Sequence, residues 1–328
     1  MHVLVIGAAG MVGRKLTERL AKDGRLGKEA IDRMTLHDVI EPVPPEVSFA
    51  VEVLASDFSA PGEAEKLLAG RPDVIFHLAA IVSAEAEIDF DKGYRINLDG
   101  TRRLFEAVRR AGDGYTPRLV FTSSIAVFGA PFPDTIDDEF LAAPLTSYGT
   151  QKAIGELLLS DYSRRGFFDG IGIRLPTICV RPGKPNKAAS GFFSSIIREP
   201  LNGEEAVLPV SDDVMHWHAS PRSAVGFLIH AATLDTSRLG PRRVLNMPGV
   251  AATVAEQIEA LRQVAGDDVV HRIRREPDPM IAGIVAGWAR RFDARRAREL
   301  GFTAEDSFEE IIRVHIEDEL GGQAGARL

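Results

Sequence analysis

Tyr148-Gly149-Thr150-Gln151-Lys152 sets a phenol and an ammonium four residues apart. On a helix those two positions share one face. A free phenol titrates near ~10, and an adjacent cation favours its anion. The pair could therefore take a proton from a reacting hydroxyl near neutral pH. Ser124, in Thr122-Ser123-Ser124 just past an apolar strand pattern, offers a hydroxyl donor for the reacting oxygen. Alone, the Tyr–Lys spacing recurs by chance, as a half-buried tyrosine beside a solvated lysine. What lifts it above chance is the beginning of the chain.

Gly7-Ala8-Ala9-Gly10-Met11-Val12-Gly13 follows an apolar run, His2–Ile6, and opens a helical pattern. Glycines at these spacings allow a tight turn, and the backbone N–H groups from Gly7 through Ala9, Gly10, Met11, Val12 and Gly13 can approach a pyrophosphate at a helix N-terminus. The strand–loop–helix context makes the pattern specific for a dinucleotide. Asp38 closes the second strand, where a carboxylate accepts from both ribose hydroxyls and repels a 2′-phosphate; no arginine directly follows it, which favours NAD over NADP. The spacing from Gly13 to Asp38 is longer than the usual ~20 residues, and the loop Asp23–Gly27 absorbs the excess. Asp57 and Phe58 close the third strand, near the expected adenine. Leu78, Ala79 and Ala80 follow the fourth, where the backbone would pass under the cofactor. An oxidised nicotinamide would further favour the Tyr148 phenolate.

These groups need a scaffold. Strands are expected at His2–Ile6, Arg33–His37, Ala50–Leu54, Val74–Leu78, Arg118–Thr122, Gly170–Leu175 and Arg243–Asn246. Helices are expected at Met11–Leu20, Ile96–Ala111, Tyr148–Tyr162, Pro221–Leu234, Thr253–Val264 and Ser307–Leu320. Continuously apolar strands alternating with helices imply an α/β fold of Rossmann type, a doubly wound parallel sheet covered on both faces. Residues 1–175 form the expected NAD-binding domain, and the chain returns to it near 224–246. Residues 176–223 and 247–320 form a smaller substrate lobe, and 321–328 a flexible tail.

The chain has 328 residues, 45% hydrophobic and 26% charged, with 39 basic and 47 acidic side chains and a net charge of −8. That acidity argues against nucleic acid, which needs a basic face. No apolar run approaches the ~20 residues that span a bilayer, and no basic leader precedes the first strand. Cys179 is the single cysteine, expected as a small buried apolar group, so no internal disulfide or cysteine cluster can form. A reducing cytoplasm is the expected location. His216 and His218 could line a pocket, but two histidines are not a metal set, and no metal is expected.

Taken in order, Gly7 to Gly13, Asp57, His77 to Ala80, Asn97-Leu98-Asp99-Gly100-Thr101, Ser123-Ser124, Tyr148/Lys152 and Arg174-Leu175-Pro176 resemble the extended short-chain dehydrogenase/reductases. The resemblance implies a seven-stranded parallel sheet with a small C-terminal lobe. It implies Tyr148 as acid/base, Lys152 as its electrostatic partner and a nicotinamide-ribose ligand, and Ser124 as the group that binds the substrate oxygen. It adds Asn97, Pro176 and Thr177 to the cofactor-facing residues; Asn97 could equally be a plain helix cap.

Many of these relatives act on nucleotide sugars, and this chain departs from their pattern. Thr177 stands where they carry asparagine, Phe128 replaces tyrosine in Val127-Phe128-Gly129, and Met215–Pro221 lacks their acids. The closer likeness, through Ile81–Glu87, Ile173–Asn186 and His216–His218, is to a subgroup that oxidises sugar acids. It implies NAD-dependent oxidation of the C2 hydroxyl of a four-carbon sugar acid to the 2-oxo acid. A carboxylate substrate needs a cationic partner. Arg174, Arg181, Lys184, Lys187 and Arg222 are all candidates, and the sequence does not choose; Arg174 could equally be a structural ion-pair residue. Ser83, Ser123 and His218 complete the expected substrate contacts. Apolar stripes on Asn97–Ala111 and Gln151–Ser163 suggest a homodimer. A nucleotide-sugar epimerase or reductase and a non-catalytic NAD-binding scaffold are the competing readings.

Overall fold

The structure is a computed structural model that describes residues 1–183 and 189–322. Lys184, Asn186, Lys187 and most of the expected tail lie outside the described residues.

Seven parallel strands form the central sheet: β1 (His2–Ile6), β2 (Arg33–Asp38), β3 (Ala50–Ala55), β4 (Val74–His77), β5 (Arg118–Ser124), β6 (Asp169–Leu175) and β7 (Val244–Asn246). Their order is β7-β6-β5-β4-β1-β2-β3. Strand order reverses between β1 and β4, and a crevice opens there beyond the strand carboxyl ends. Side chains alternate across β1. Val3 and Val5 join one core with Leu16, Phe227 and Leu228. Leu4 and Ile6 join the opposite core with Leu104, Phe105 and Leu159. Both faces are thus covered, which explains why these strands read as unbroken apolar runs.

The lobe has its own core, built from helices Gly191–Leu201, Val254–Ala265 and Phe308–Glu319. A three-stranded sheet links it to the domain: Met215–Ala219 lies between Thr177–Ile178 and Val250–Thr253. Helix Pro221–Thr233 and strand β7 return to the central sheet. The chain returns once more, unanticipated from sequence, when Ala294, Ala297, Leu300 and Phe302 pack into the domain core.

The expected regular helix from Ile96 to Ala111 is instead a π-helical turn, Tyr94–Gly100, leading into an α-helix, Thr101–Arg110. The widened turn frees Asn97 from capping. Its Nδ2 donates to Ile81 O (3.1 Å) and Gln151 Oε1 (2.8 Å), and its Oδ1 accepts from Ile81 N (2.9 Å). The strand of chain beyond β4 is thereby pinned to the helix that carries Tyr148.

Candidate active site

Gly7 and Ala8 both donate their N–H to His37 O, at 2.8 and 2.9 Å, turning the chain at the crevice. A Cβ on Gly13 would sit 2.0 Å from Gly7 O, so this close approach of helix to loop requires glycine. Helix Met11–Asp23 starts with no side-chain cap at Gly10. Gly7, Gly10, Met11, Val12 and Gly13 face the cavity, which suits a bound phosphate at uncapped N–H groups. Asp38 Oδ2 accepts from Ala9 N (2.9 Å) and Oδ1 from Val39 N (2.7 Å), placing the carboxylate against the loop. These residues fit a dinucleotide at the observed cradle.

The third-strand residues behave differently. Asp57 accepts from Ser59 N (3.0 Å) and pairs with Arg95, so its carboxylate braces a turn. The Phe58 ring is buried, edge-on to His77 at 5.3 Å between centroids. Leu78 and Ala80 line the cavity, whereas Leu78 N and Ala79 N both donate back to Ile6 O.

The second half of the site is built where helix Ser147–Arg164 meets the end of β5. Thr146 Oγ1 caps the helix by accepting from Gly149 N (3.1 Å). A Cβ on Gly149 would lie 2.1 Å from Ala126 O, so glycine lets the helix touch the turn after Ser124. Tyr148 and Ser124 consequently line the same cavity, while Ser124 Oγ accepts from Ala126 N at 3.1 Å. Burial pushes the phenol up to about 12, opposed by the Ser124 hydroxyl and by the positive charge of Arg181. Lys152 is buried, and Nζ donates to Thr122 O at 2.8 Å. Its ammonium lies 5.7 Å from the Tyr148 ring centroid and 5.0 Å from that of Phe121. Burial lowers it to about 8, opposed by Glu156.

All three residues line one cavity of about 430 Å³ together with Ser83, Ser123, Pro176, Thr177 and Arg181. Three of the residues weighed as substrate contacts, Arg174, His218 and Arg222, lie elsewhere. Arg174 is bound bidentately to the buried Glu156, Nε to Oε1 at 2.9 Å and Nη2 to Oε2 at 2.7 Å, and Nη1 reaches Asn246 Oδ1 at 3.2 Å. Ser123 Oγ donates to the same carboxylate at 2.5 Å. The pairing of β5 with β6, Ser123 opposite Arg174, builds this cluster behind the cavity wall. His218 is fully buried between Phe193 and Phe308 in the lobe, its Nε2 3.1 Å from Gln257 Nε2. Arg222 pairs with Glu317 and Asp318 at the surface.

The histidine at the cavity is His216. Its Nδ1 lies 2.8 Å from Ala289 O and its Nε2 2.7 Å from Thr177 Oγ1. A carbonyl only accepts, so Nδ1 carries the hydrogen and Nε2 accepts from the threonine hydroxyl. Burial lowers its pKa to about 4, so the ring is neutral. It stacks on Phe193 and leans on Trp288 at 5.1 Å, holding the segment Gly287–Ala289 against the cavity. Sequence reasoning missed Trp288, since no motif ties residue 288 to residue 216. Among the described residues no three His, Cys, Asp or Glu side chains converge as a metal set, and no helix is long and apolar enough to cross a membrane.

Residues 3–218 match the model of the NAD dependent epimerase/dehydratase family. The chain belongs to this family. Within it, the chain is 48% identical to D-erythronate dehydrogenase of Cupriavidus necator, over 97% of this chain and 98% of that protein. It is 43% identical to D-erythronate dehydrogenase of Haemophilus influenzae, over 97% and 99%. A crystal structure described as a nucleoside-diphosphate-sugar epimerase from Agrobacterium tumefaciens is 71% identical, with a TM-score of 0.98 over 99% of this chain and 96% of that one. Family membership agrees with the uncapped glycine loop, and the cofactor is NAD.

Proposed function

We propose that this protein is a D-erythronate dehydrogenase that oxidises the C2 hydroxyl of a four-carbon sugar acid. The observation that carries this reading is the convergence of Ser124, Tyr148 and Lys152 on one cavity beneath the glycine loop, in a chain matched almost end to end by two D-erythronate dehydrogenases. Bound NAD supplies the hydride acceptor. Ser124 Oγ holds the substrate oxygen by donating to it, and the Tyr148 phenolate removes its proton as C2 gives up hydride. Lys152 supplies a buried positive charge beneath that centre, oriented by Thr122 O. Asp38, set against Ala9 N, selects the unphosphorylated ribose.

The description of the Agrobacterium structure favours a second reading, a nucleotide-sugar epimerase. Against it, the Thr177 hydroxyl is engaged by His216 inside the protein. Absorbance at 340 nm with NAD and NADP across aldonates, together with product analysis of nucleotide sugars by chromatography, separates the two, because epimerisation leaves no net NADH. D-erythronate with NAD should produce NADH. Turnover of a UDP- or GDP-sugar with no aldonate oxidised would replace this reading by the second.

The protein is further read as a cytoplasmic homodimer. Leu157, on helix Ser147–Arg164, and Ile88 and Phe90, on segments packed against that helix, are exposed apolar residues, and a shared helical face would cover them. Light scattering checks the mass.

A further inference from the structure

We propose that Arg181 is the carboxylate anchor of the cavity, so that the substrate is an acid whose charged end sits beside the carbinol carbon facing Tyr148 and Ser124. This rests on the dehydrogenase reading above and names the group that selects the substrate class.

Arg181 lies in the cavity wall with Tyr148, Ser124 and Ser190. Both its backbone and its guanidinium are held. Its N–H donates to Ser194 Oγ (3.0 Å), and its carbonyl accepts from Arg198 Nη1 (2.7 Å). Nε donates to Ile178 O (3.2 Å) and Nη2 to Ser190 Oγ (3.0 Å). The partners of the guanidinium are neutral. Among the described residues Arg198, which contacts it, pairs with Glu199, as Arg174 pairs with Glu156, while no carboxylate lies within ion-pair distance of Arg181. The adjoining segment 184–188 reads Lys-Pro-Asn-Lys-Ala and contains no acid. A guanidinium largely withdrawn from water without a counter-charge is costly, and a ligand carboxylate removes that cost through charge-assisted, bidentate hydrogen bonds.

Of the other described cations weighed for this role, Arg174 closes on Glu156 behind the wall and Arg222 pairs with Asp318 at the surface, while the Lys152 ammonium is turned to Thr122 O. Arg181 and Tyr148 line the same cavity. In a 2-hydroxy acid the carbinol carbon is bonded directly to the carboxylate, so an acid seated on Arg181 keeps its reacting carbon within that shared cavity. That placement favours 2-hydroxy acids over longer polyols and over diphosphate-linked sugars.

The test uses the enzyme–NADH complex, titrated by NADH fluorescence with oxalate and separately with UDP, in wild type, Arg181→Met and Arg181→Lys. Oxalate should bind wild type and lose on the order of 10- to 100-fold in affinity in Arg181→Met, the range for a charge-assisted hydrogen bond, with partial recovery in Arg181→Lys. Equal oxalate affinity in wild type and Arg181→Met overturns the assignment, as does Arg181-dependent binding of UDP in place of oxalate. If Arg181→Met does not fold, wild type compares D-erythronate with D-erythronamide; a preference for the acid below about threefold overturns it. If no aldonate is oxidised yet oxalate still depends on Arg181, the dehydrogenase reading fails and the anchor stands. If Arg181→Met oxidises D-erythronate at the wild-type kcat/KM, the anchor fails and the dehydrogenase reading stands.

Discussion

Arg174 and Arg181 are seven residues apart, yet they belong to two different electrostatic regions. At the carboxyl edge of the sheet, Arg174, Glu156, Ser123 and Asn246 satisfy one another completely behind the cavity wall. On the cavity wall, the Arg181 guanidinium is held by neutral oxygens, Ile178 O and Ser190 Oγ. The first region has its charge balance closed within the fold and so serves stability. The second leaves one charge without a counter-charge among the described residues, which is what the proposed recognition role uses. The proposed chemistry lies at the same cavity, lined by Tyr148 and Ser124.

The largest effect expected of any single substitution falls on neither region but on the centre they flank. Tyr148→Phe should lower kcat by about 10²- to 10⁴-fold, the usual contribution of a general acid–base group, while NAD affinity measured by fluorescence stays within about threefold. A variant that keeps most of its rate would remove the tyrosine from the reaction.

Arg174→Met should destabilise the protein by about 3–5 kcal/mol, because it strands the buried Glu156 carboxylate without its counter-charge. Chemical denaturation reads that loss. Arg181→Met should cost far less stability while weakening acid binding. If the two arginines exchange these outcomes, the division between closed and open regions is wrong.

The pH dependence sharpens the same contrast. Under the proposed mechanism oxidation needs the Tyr148 phenolate, and burial holds that phenol up to about 12 in the free protein, so kcat/KM for oxidation should climb as pH rises from 7 to 10. Reduction of the 2-oxo acid needs the protonated phenol and should not require high pH. In Arg181→Met the phenol loses an opposing positive charge, so the rising limb for oxidation should move to still higher pH. A pH profile that stays in place would show that the cation does not act on the phenol.

The smallest expected change is in cofactor choice. Asp38→Ser should weaken NAD by about 10-fold, the loss of a charge-assisted hydrogen bond, and narrow the preference over NADP. Initial rates with both cofactors check it.

Much of the domain was readable because its signals are local. The strand–glycine–helix order of residues 2–23 and the alternation of apolar runs with helices carry the fold class in the chain itself. So does the four-residue phasing of Tyr148 and Lys152. The regular helix expected at Ile96–Ala111 was not, because the π-helical turn exists to bring Asn97 to Ile81 and Gln151, partners far away in sequence. The lobe was read least well. Its strands are short, Thr177–Ile178 and Met215–Ala219 among them, and they gain their hydrogen bonds from strands distant in the chain.

The sequence by itself therefore determined that this chain binds a dinucleotide, that a tyrosine and a lysine share a helix face, and that a serine precedes them at a strand end. Tertiary structure alone decided which arginine faces the cavity, which histidine lines it, and which charge acts on the phenol. Periodicity and turn chemistry are properties of neighbouring residues. Charge pairing is a property of space, and Arg174 and Arg181 became different residues only when the fold gave one of them a glutamate.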